Sequence, residues 1–300
     1  MPALTAPAVR PSISSRRFSC TATGAPRSCS TPTTSTSPPV TEAPARSAAP
    51  PPGLRARAVD AANRVGERFL RWLDVYYGRS SLVGDHAFFD VDEFPWVPRV
   101  EARWPAIRAE LEEVLRDVAH LPNFQDISTD QYRLTQDDRW KTYFLLGYGF
   151  RVDEHLARCP ETAAALADIP GITTAMFSIF APHKRIPAHV GPYKGVLRYH
   201  LGLRVPEPPA ACGITVRGET RHWTEGRSLI FDDVWEHEAW NDTDDTRVVL
   251  FVDFIRPMKA PARWLNAAVL KAIAYSPFVQ DGKARHRAWE ERFEQLRAGG

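Results

Sequence analysis

The sequence lacks several features that would each assign the protein to a class. Its 38 Lys and Arg residues nearly balance 36 Asp and Glu residues, so it lacks the strong positive charge of nucleic-acid-binding proteins, and we expect no nucleic-acid partner. No stretch approaches the roughly 18 consecutive apolar residues of a membrane-spanning helix, so we expect no transmembrane segment. The four cysteines form no CxxC pair, which argues against a zinc ribbon or a disulfide framework. We therefore expect a soluble, cytoplasmic protein.

The N-terminal segment differs in composition from the rest of the chain. Residues 1–53 hold eleven of the 26 prolines and a single acidic residue, Glu42. Such a segment has too little apolar surface to offset the entropy lost on folding, so we expect a disordered N-terminal extension. Its Arg- and Ser-rich, acid-poor composition also resembles an organelle transit peptide, and organelle targeting by this segment is the open alternative.

The remainder divides into three parts by the spacing of its apolar residues. Over residues 54–135, apolar side chains recur at three- and four-residue steps, as at Ile107 and Leu111, and predict helices that pack on the core. Residues 136–258 contain short β-rich runs separated by turn residues, which are typical of a sandwich or barrel; we expect a cupin-like jelly roll. A helical pattern returns over residues 259–300. The predicted fold class is therefore mainly β with flanking helices.

Two histidines of the β region stand in distinctive settings. His189 begins the sequence His-Val-Gly-Pro after a strand-like run, and His237 lies in a segment flanked by aromatic residues. A histidine near each end of a jelly roll suits a mononuclear metal ion, since neutral imidazoles suit iron and leave positions open for water or substrate. A purely structural role for both histidines is the open alternative. If they bind metal, we expect the two rings to come from opposite sheets and meet at one ion.

Basic residues near these histidines add a second feature. Arg198 and His200 alternate on one predicted strand and therefore share a face, and Arg247 begins the last strand. An arginine that projects into an apolar barrel must meet an anion, because an unpaired buried charge is costly. The guanidinium fork suits a dicarboxylate ligand. The alternative is a salt bridge within the chain to one of three aspartates, Asp232, Asp233 or Asp253.

Five sequence motifs in a fixed order carry a resemblance to a known family. They are His189–Pro192, Leu197–Leu203, Glu219–Gly226, Leu229–Trp240 and Arg247–Asp253. Together with Ser178, these motifs span about a quarter of the chain, from Ser178 to Asp253. This region resembles the catalytic domain of the aspartyl/asparaginyl β-hydroxylase family. The resemblance implies a double-stranded β-helix fold and an iron(II)- and 2-oxoglutarate-dependent dioxygenase, with O₂ as a further substrate.

The resemblance also implies roles for individual residues. His189 and His237 would be the iron ligands, and 2-oxoglutarate would be held by Ser178, Arg198, His200 and Arg247. Most iron oxygenases of this fold carry a carboxylate two residues after the first histidine, where this chain has Gly191. Water would then complete the surroundings of the metal, and Asp233 is a catalytic candidate that would orient this water or a ligand. A surface aspartate in a turn is the alternative for that residue.

The sequence gives conflicting indications about the substrate. Related lipid A acyl-chain hydroxylases carry an aspartate where this chain has Gly191, so we expect hydroxylation at the β-carbon of Asp or Asn in a peptide or protein. The aromatic region Asp138–Phe150 and the C-terminal helices favour the alternative, a lipid acyl chain or small metabolite. Trp140 is the candidate substrate-binding residue. A halogenase, in which a small residue leaves room for chloride, and a binding module without activity are further alternatives.

Overall fold

The computed structural model describes residues 68–69, 71–147 and 149–298 of the chain. The extension predicted over residues 1–53 therefore lies outside the described residues. Among the described residues, no helix is both long and apolar enough to cross a lipid bilayer.

Strands make up the centre of the described structure. They are β1 (Phe88–Phe89), β2 (Trp140–Gly147), β3 (Phe150–Arg151), β4 (Ile172–Phe180), β5 (Lys184–His189), β6 (Val196–Arg204), β7 (Cys212–Val216), β8 (Glu219–His222), β9 (Ser228–Phe231), β10 (His237–Asn241) and β11 (Arg247–Ile255). A seven-stranded sheet has the order β1-β9-β6-β11-β4-β2-β3, and a four-stranded sheet has the order β5-β10-β7-β8. Every pair of neighbouring strands is antiparallel.

Helices flank these sheets on the N-terminal side, between β3 and β4, and after β11. They are α1 (71–80), α2 (Val97–Ala102), α3 (Trp104–Leu115), α4 (Phe124–Ile127), α5 (Asp153–Arg158), α6 (Pro160–Ala167), α7 (Ala262–Ala274) and α8 (Pro277–Ala298). The short strand β1 pairs with β9 at one edge of the larger sheet. The sheet thus includes two residues from the part of the chain that the periodicity predicts to be helical.

The seven-stranded sheet buries both of its faces. On one face, Tyr199 and Leu201 of β6 pack in a cluster with Ile107 and Leu111 of α3. On the other face, residues of β4 and β11 pack in a second cluster with residues of β7 in the smaller sheet, among them Met176, Val249, Phe251, Ile214 and Val216. The two sheets therefore face each other around an apolar core, with helices outside. The predicted fold class, mainly β with flanking helices around a double-stranded β-helix, is confirmed.

The alternation of side chains along the strands explains how polar residues reach the space between the sheets. Successive residues of a strand point to opposite faces. The outward positions of β4, β6 and β11 are apolar and pack on the helices. The inward positions include Ser178 on β4, Arg198 and His200 on β6, and Arg247 on β11. One strand pattern thus builds the helix-covered face and supplies the polar groups of the interior.

A buried charge cluster ties the ends of two strands together. Asp232, just after β9, accepts a hydrogen bond from Arg256, just after β11, and both side chains are fully buried. Lys194 lies 3.4 Å from the Asp232 carboxylate and 2.6 Å from that of Asp85. A buried charge is tolerated only when it is paired. These ion pairs therefore hold the segment after β9 against the segment after β11.

We expect the change Asp232→Asn to destabilise the fold by about 3–5 kcal/mol, because it leaves Arg256 buried without its anionic partner. The free energy of unfolding in urea measures this loss. The matched control is Asp168→Asn, which removes the partner of the exposed Arg99 and should change stability by about 0.5 kcal/mol or less. Equal effects of the two changes would contradict the structural role given to Asp232.

Candidate active site

The two candidate metal ligands lie side by side in the four-stranded sheet. His189 ends β5 and His237 begins β10, and the two residues are direct partners in the antiparallel register. Their ring centroids are 4.0 Å apart. The expectation that the rings come from opposite sheets is therefore wrong. Side chains of directly opposed residues on neighbouring strands are about 5 Å apart at Cβ, whereas facing sheets are about 10 Å apart, so the observed pairing brings the rings closer.

Each of these rings is oriented by a backbone carbonyl two residues earlier in the chain. His189 donates from Nδ1 to the Pro187 carbonyl oxygen at 2.8 Å, and His237 donates from Nδ1 to the Trp235 carbonyl oxygen at 3.0 Å. This tautomer leaves the lone pair of each Nε2 available to a metal ion. Burial lowers the pKa of His189 and lowers that of His237 to about 4. Both imidazoles are therefore neutral near pH 7, as metal ligands must be.

The position without a side-chain ligand, Gly191, lies against Asp233. The Gly191 amide donates to the Asp233 carbonyl oxygen at 2.7 Å. A Cβ atom at position 191 would lie only 2.4 Å from the Asp233 carboxylate. Asp233 is 4% exposed and is not a surface residue. Its carboxylate thus occupies the space into which a side chain at position 191 would project, beside the histidine pair.

Arg198 is held by acidic residues of the chain itself. Its guanidinium lies 2.9 Å from the carboxylate of Asp233 and 2.8 Å from that of Asp253, and its carbon is 4.3 Å from the centroid of the Phe251 ring. Two of the three aspartates considered for an internal salt bridge therefore pair with this arginine. A guanidinium has five N–H donors, so these ion pairs do not by themselves prevent a further contact. That Arg198 also contacts 2-oxoglutarate stays a prediction.

Arg247 has a different environment. The side chain is 1% exposed, and the guanidinium carbon lies 3.6 Å from the centroid of the Phe180 ring and 4.4 Å from that of Trp223. One guanidinium nitrogen donates to the Ser178 carbonyl oxygen at 3.3 Å, whereas Nε has no hydrogen-bond partner. Burial lowers the pKa of Arg247 to about 10, so the group stays charged near pH 7.

No carboxylate of the described residues forms an ion pair with Arg247. An enclosed cation without an anionic partner is unfavourable by itself, and the aromatic rings offset only part of that penalty. The arrangement therefore suits an anionic ligand that enters the space between the sheets.

Two tryptophan indoles bind polar side chains of the barrel interior. Trp223 donates from Nε1 to Nδ1 of His200 at 3.3 Å, so the proton of the neutral His200 ring is on Nε2, which has no partner among the described residues. Trp140 donates from Nε1 to the Ser178 hydroxyl at 3.1 Å. An unpaired N–H next to the Arg247 cation suits a carboxylate ligand.

Thr142 is an inward-facing group that the sequence reasoning missed. It lies opposite Ser178 in the pairing of β2 with β4, and its buried hydroxyl has no hydrogen-bond partner in the described structure. The signal was available, because Thr142 shares one strand face with Trp140 and Phe144, of which Trp140 was already a candidate. Thr142 therefore adds an unpaired hydroxyl beside Ser178 in the barrel interior.

An apolar cavity of about 500 Å³ opens beside the histidine pair. One part of the cavity wall is formed by His189, Gly191, Arg198 and Asp233. Trp140 also contributes to the wall, together with apolar side chains of α4, β2, β3 and α8, namely Phe124, Ile127, Phe144, Phe150 and Val279. Its size is within the range of small-molecule sites, and its walls suit a hydrocarbon chain.

Comparison with known proteins identifies the family to which this site belongs. Residues 101–257, more than half of the chain, match the family model described as aspartyl/asparaginyl beta-hydroxylase. The chain belongs to this family. It is 51% identical over 224 residues to an ornithine lipid ester-linked acyl 2-hydroxylase from Rhizobium tropici, with 75% of this chain and 80% of that protein covered. The resemblance noted in the sequence is confirmed.

Other relatives are more distant. The human aspartyl/asparaginyl beta-hydroxylase is 29% identical over 224 residues, which cover 67% of this chain but only 29% of the human protein. Among solved structures, a prolyl-4-hydroxylase from Pseudomonas putida has 16% identity and a TM-score of 0.34 over 51% of this chain and 87% of that chain. The sequence relatives place the chain in a family of hydroxylases, some named for lipid and some for amino-acid substrates.

The buried His200 is expected to make stability depend on pH. Burial, assisted by the nearby charges of Arg247 and Arg198, lowers its pKa well below the usual value of about 6.5. Below about pH 6.5, His200 binds a proton in the unfolded chain but not in the folded chain, so the free energy of unfolding falls as the pH falls. Between about pH 6.5 and about pH 5.5, His200 contributes a loss of roughly 1 kcal/mol.

Urea unfolding of the wild type and of His200→Gln at several pH values measures this contribution by difference. We expect His200→Gln to flatten the pH dependence, and His183→Gln, which changes a largely exposed histidine, to leave it as in the wild type. An unaltered slope in His200→Gln would show that this ring is not the group responsible.

Proposed function

We propose that the protein is an iron(II)- and 2-oxoglutarate-dependent hydroxylase whose substrate is an acyl chain of a lipid. The observation that carries the substrate class is the mostly apolar cavity of about 500 Å³ whose wall includes His189. The 51% identity to an ornithine lipid ester-linked acyl 2-hydroxylase supports the same class. These two observations favour a lipid acyl chain over the β-carbon of Asp or Asn as the group that is hydroxylated. The expectation of an Asp or Asn substrate rested on Gly191. This residue borders Asp233 and the candidate metal ligands, and it gives little information about the apolar part of the cavity wall.

The histidine pair fits an iron(II) ion. Two neutral imidazoles present their Nε2 lone pairs on one side of β5 and β10, with the Asp233 carboxylate beside them. Bound iron(II) would supply the activation of O₂, coupled to oxidation of 2-oxoglutarate, that hydroxylates an unactivated carbon. Asp233 would accept hydrogen bonds from water in the metal's surroundings, while Arg198 holds that carboxylate in place at 2.9 Å.

The polar groups around Arg247 suit the binding of 2-oxoglutarate. The Arg247 guanidinium would pair with the distal carboxylate, because it is buried, charged and without an anionic partner among the described residues. The unpaired Nε2–H of His200 and the hydroxyls of Ser178 and Thr142 would complete the hydrogen bonds of the co-substrate. These groups would orient the co-substrate and keep water away from it.

The cavity wall would position the acyl chain. Phe124, Ile127, Phe144, Phe150 and Val279 line one part of it, so a hydrocarbon chain that enters buries its apolar surface against theirs. Trp140, proposed as a substrate-binding residue, would contact the chain with its ring, since its indole N–H is already bonded to Ser178. Such a wall would hold one carbon of the chain beside the histidine pair.

The surroundings of Gly191 argue against the halogenase alternative. A halogenase needs room for chloride next to the metal, where the usual carboxylate is missing. Here the Asp233 carboxylate lies 2.4 Å from the Cβ position of residue 191, so that space is filled and carries a negative charge. A chloride ion would be repelled from it. Hydroxylation is therefore the outcome we propose.

The substrate proposal is tested by incubating the full chain with iron(II), 2-oxoglutarate and either an ornithine lipid or an Asp- and Asn-containing peptide. We expect a gain of one oxygen atom on the acyl chain, measured by mass spectrometry, with matching succinate release. His237→Ala should abolish turnover, because it removes one of two metal ligands, and His183→Ala serves as the control. If only the peptide gained an oxygen atom, the lipid proposal would be wrong and the substrate would be Asp or Asn in a peptide or protein.

The co-substrate proposal is tested with Arg247→Ala. Removing a buried, charge-assisted hydrogen-bond partner should raise the apparent KM for 2-oxoglutarate by roughly 100-fold, with a smaller change in kcat. The matched control is Arg185→Ala, an exposed arginine on β5 paired with Asp242. An unchanged KM in Arg247→Ala would place the carboxylate anchor elsewhere in the pocket.

A further inference from the structure

A second group of metal-ligating side chains lies outside the candidate active site. His155 on α5 meets His286 and Glu290, which are one turn apart on α8 and therefore share a helix face. One ligand atom from each of the three side chains lies within 4.8 Å of the others. None of the three lines the cavity beside His189 and His237. The group has no part in the hydroxylase chemistry proposed above.

Hydrogen bonding fixes the direction in which His155 presents its ring. His155 Nδ1 lies 2.6 Å from the Phe144 carbonyl oxygen, so Nδ1 carries a proton and donates it. In the neutral ring, Nε2 is then an acceptor, and it lies 3.1 Å from Oε1 of Glu290, which is also an acceptor. Two acceptors at this distance repel each other unless a proton or a cation lies between them.

The other polar atoms of the group also lack partners. Nε2 of His286 and both carboxylate oxygens of Glu290 are buried and form no hydrogen bond among the described residues, and the His155–Glu290 contact is not aligned as one. His155 is fully buried and His286 is 4% exposed. A proton between His155 and Glu290 would satisfy that pair alone and leave His286 without a partner. A metal ion would satisfy all three side chains at once.

We propose that His155, His286 and Glu290 bind a divalent transition-metal ion of the zinc class, separate from the candidate active site. Two imidazoles and one carboxylate are a ligand set that zinc uses, with a fourth position for water. The Phe144 carbonyl supplies the outer hydrogen bond that orients a metal-binding histidine. A cavity of about 820 Å³, lined by His286 and Glu290 among others, gives the ion and its water access from solvent.

The position of α8 gives this ion a structural role. The bound ion would join α8 to α5, which packs on β2. Nearer its beginning, α8 contributes Val279 and Gly282 to the wall of the 500 Å³ cavity. An ion at His286 and Glu290 would therefore fix one wall of the acyl-chain cavity without touching the reacting atoms.

The test uses a full-length parent variant, His189→Ala/His237→Ala, in which the active-site ligands are absent. The parent is treated with chelator, equilibrated with ZnCl₂ and desalted, and zinc is measured by mass spectrometry and by competition titration. We expect one zinc ion per chain. Saturating zinc should raise Tm by roughly 5–10 °C, because a ligand that binds only the folded state stabilises it.

Adding Glu290→Gln or His286→Gln to the parent should weaken zinc binding by roughly 100-fold or more, since each removes a direct ligand. Adding Glu291→Gln, which changes the exposed neighbouring residue of α8, should leave the affinity unchanged. Circular dichroism checks that each variant is folded before titration. The proposal is overturned if the folded parent retains no zinc, or if either ligand variant binds zinc within about tenfold of the parent.

Discussion

The pairing of β5 with β10 is the interaction on which the candidate site depends. Backbone hydrogen bonds between the two strands place His189 opposite His237, and β10 is held on its other side by β7. Each ring is then oriented by a carbonyl two residues earlier in the chain, that of Pro187 within β5 and that of Trp235 in the loop before β10. The position of both rings thus follows from sheet register, and their direction follows from these two carbonyls. A site built in this way is organised before any ligand arrives.

The two inward arginines differ in how their charges are balanced within the barrel. Arg198 is neutralised by Asp233 and Asp253, and it thereby holds a carboxylate next to the histidine pair. Arg247 meets aromatic rings, the Ser178 carbonyl of β4 and the Cys212 thiol, and no carboxylate of the described residues pairs with it. These neighbours offset only part of the free-energy cost of burying the charge. Binding of an anion is therefore expected to stabilise the folded chain as well as to fill the pocket.

Much of the fold followed from the sequence because alternation is a local property. Arg198 and His200 alternate with apolar residues along β6, so their shared face could be derived from spacing alone. β11 is apolar on both faces between Arg247 and Asp253, so spacing did not give the direction of Arg247. The sheet that carries each histidine could not be derived, because spacing does not reveal which strands become neighbours. For the same reason the group of His155, His286 and Glu290 was not predicted, because His155 on α5 is more than a hundred residues from the other two on α8 and meets them only in the folded chain.

The close fit of Gly191 against Asp233 links two positions that are distant in the sequence. Most enzymes of this fold carry an acidic group on the strand of the first histidine, whereas here the carboxylate beside position 191 belongs to Asp233, in the loop before the second histidine. An aspartate introduced at position 191 alone would collide with the Asp233 carboxylate. A small residue at position 233 alone would remove that carboxylate and leave Asp253 paired with Arg198. Each single step is therefore unfavourable, and a change from one arrangement to the other requires both substitutions in the same molecule.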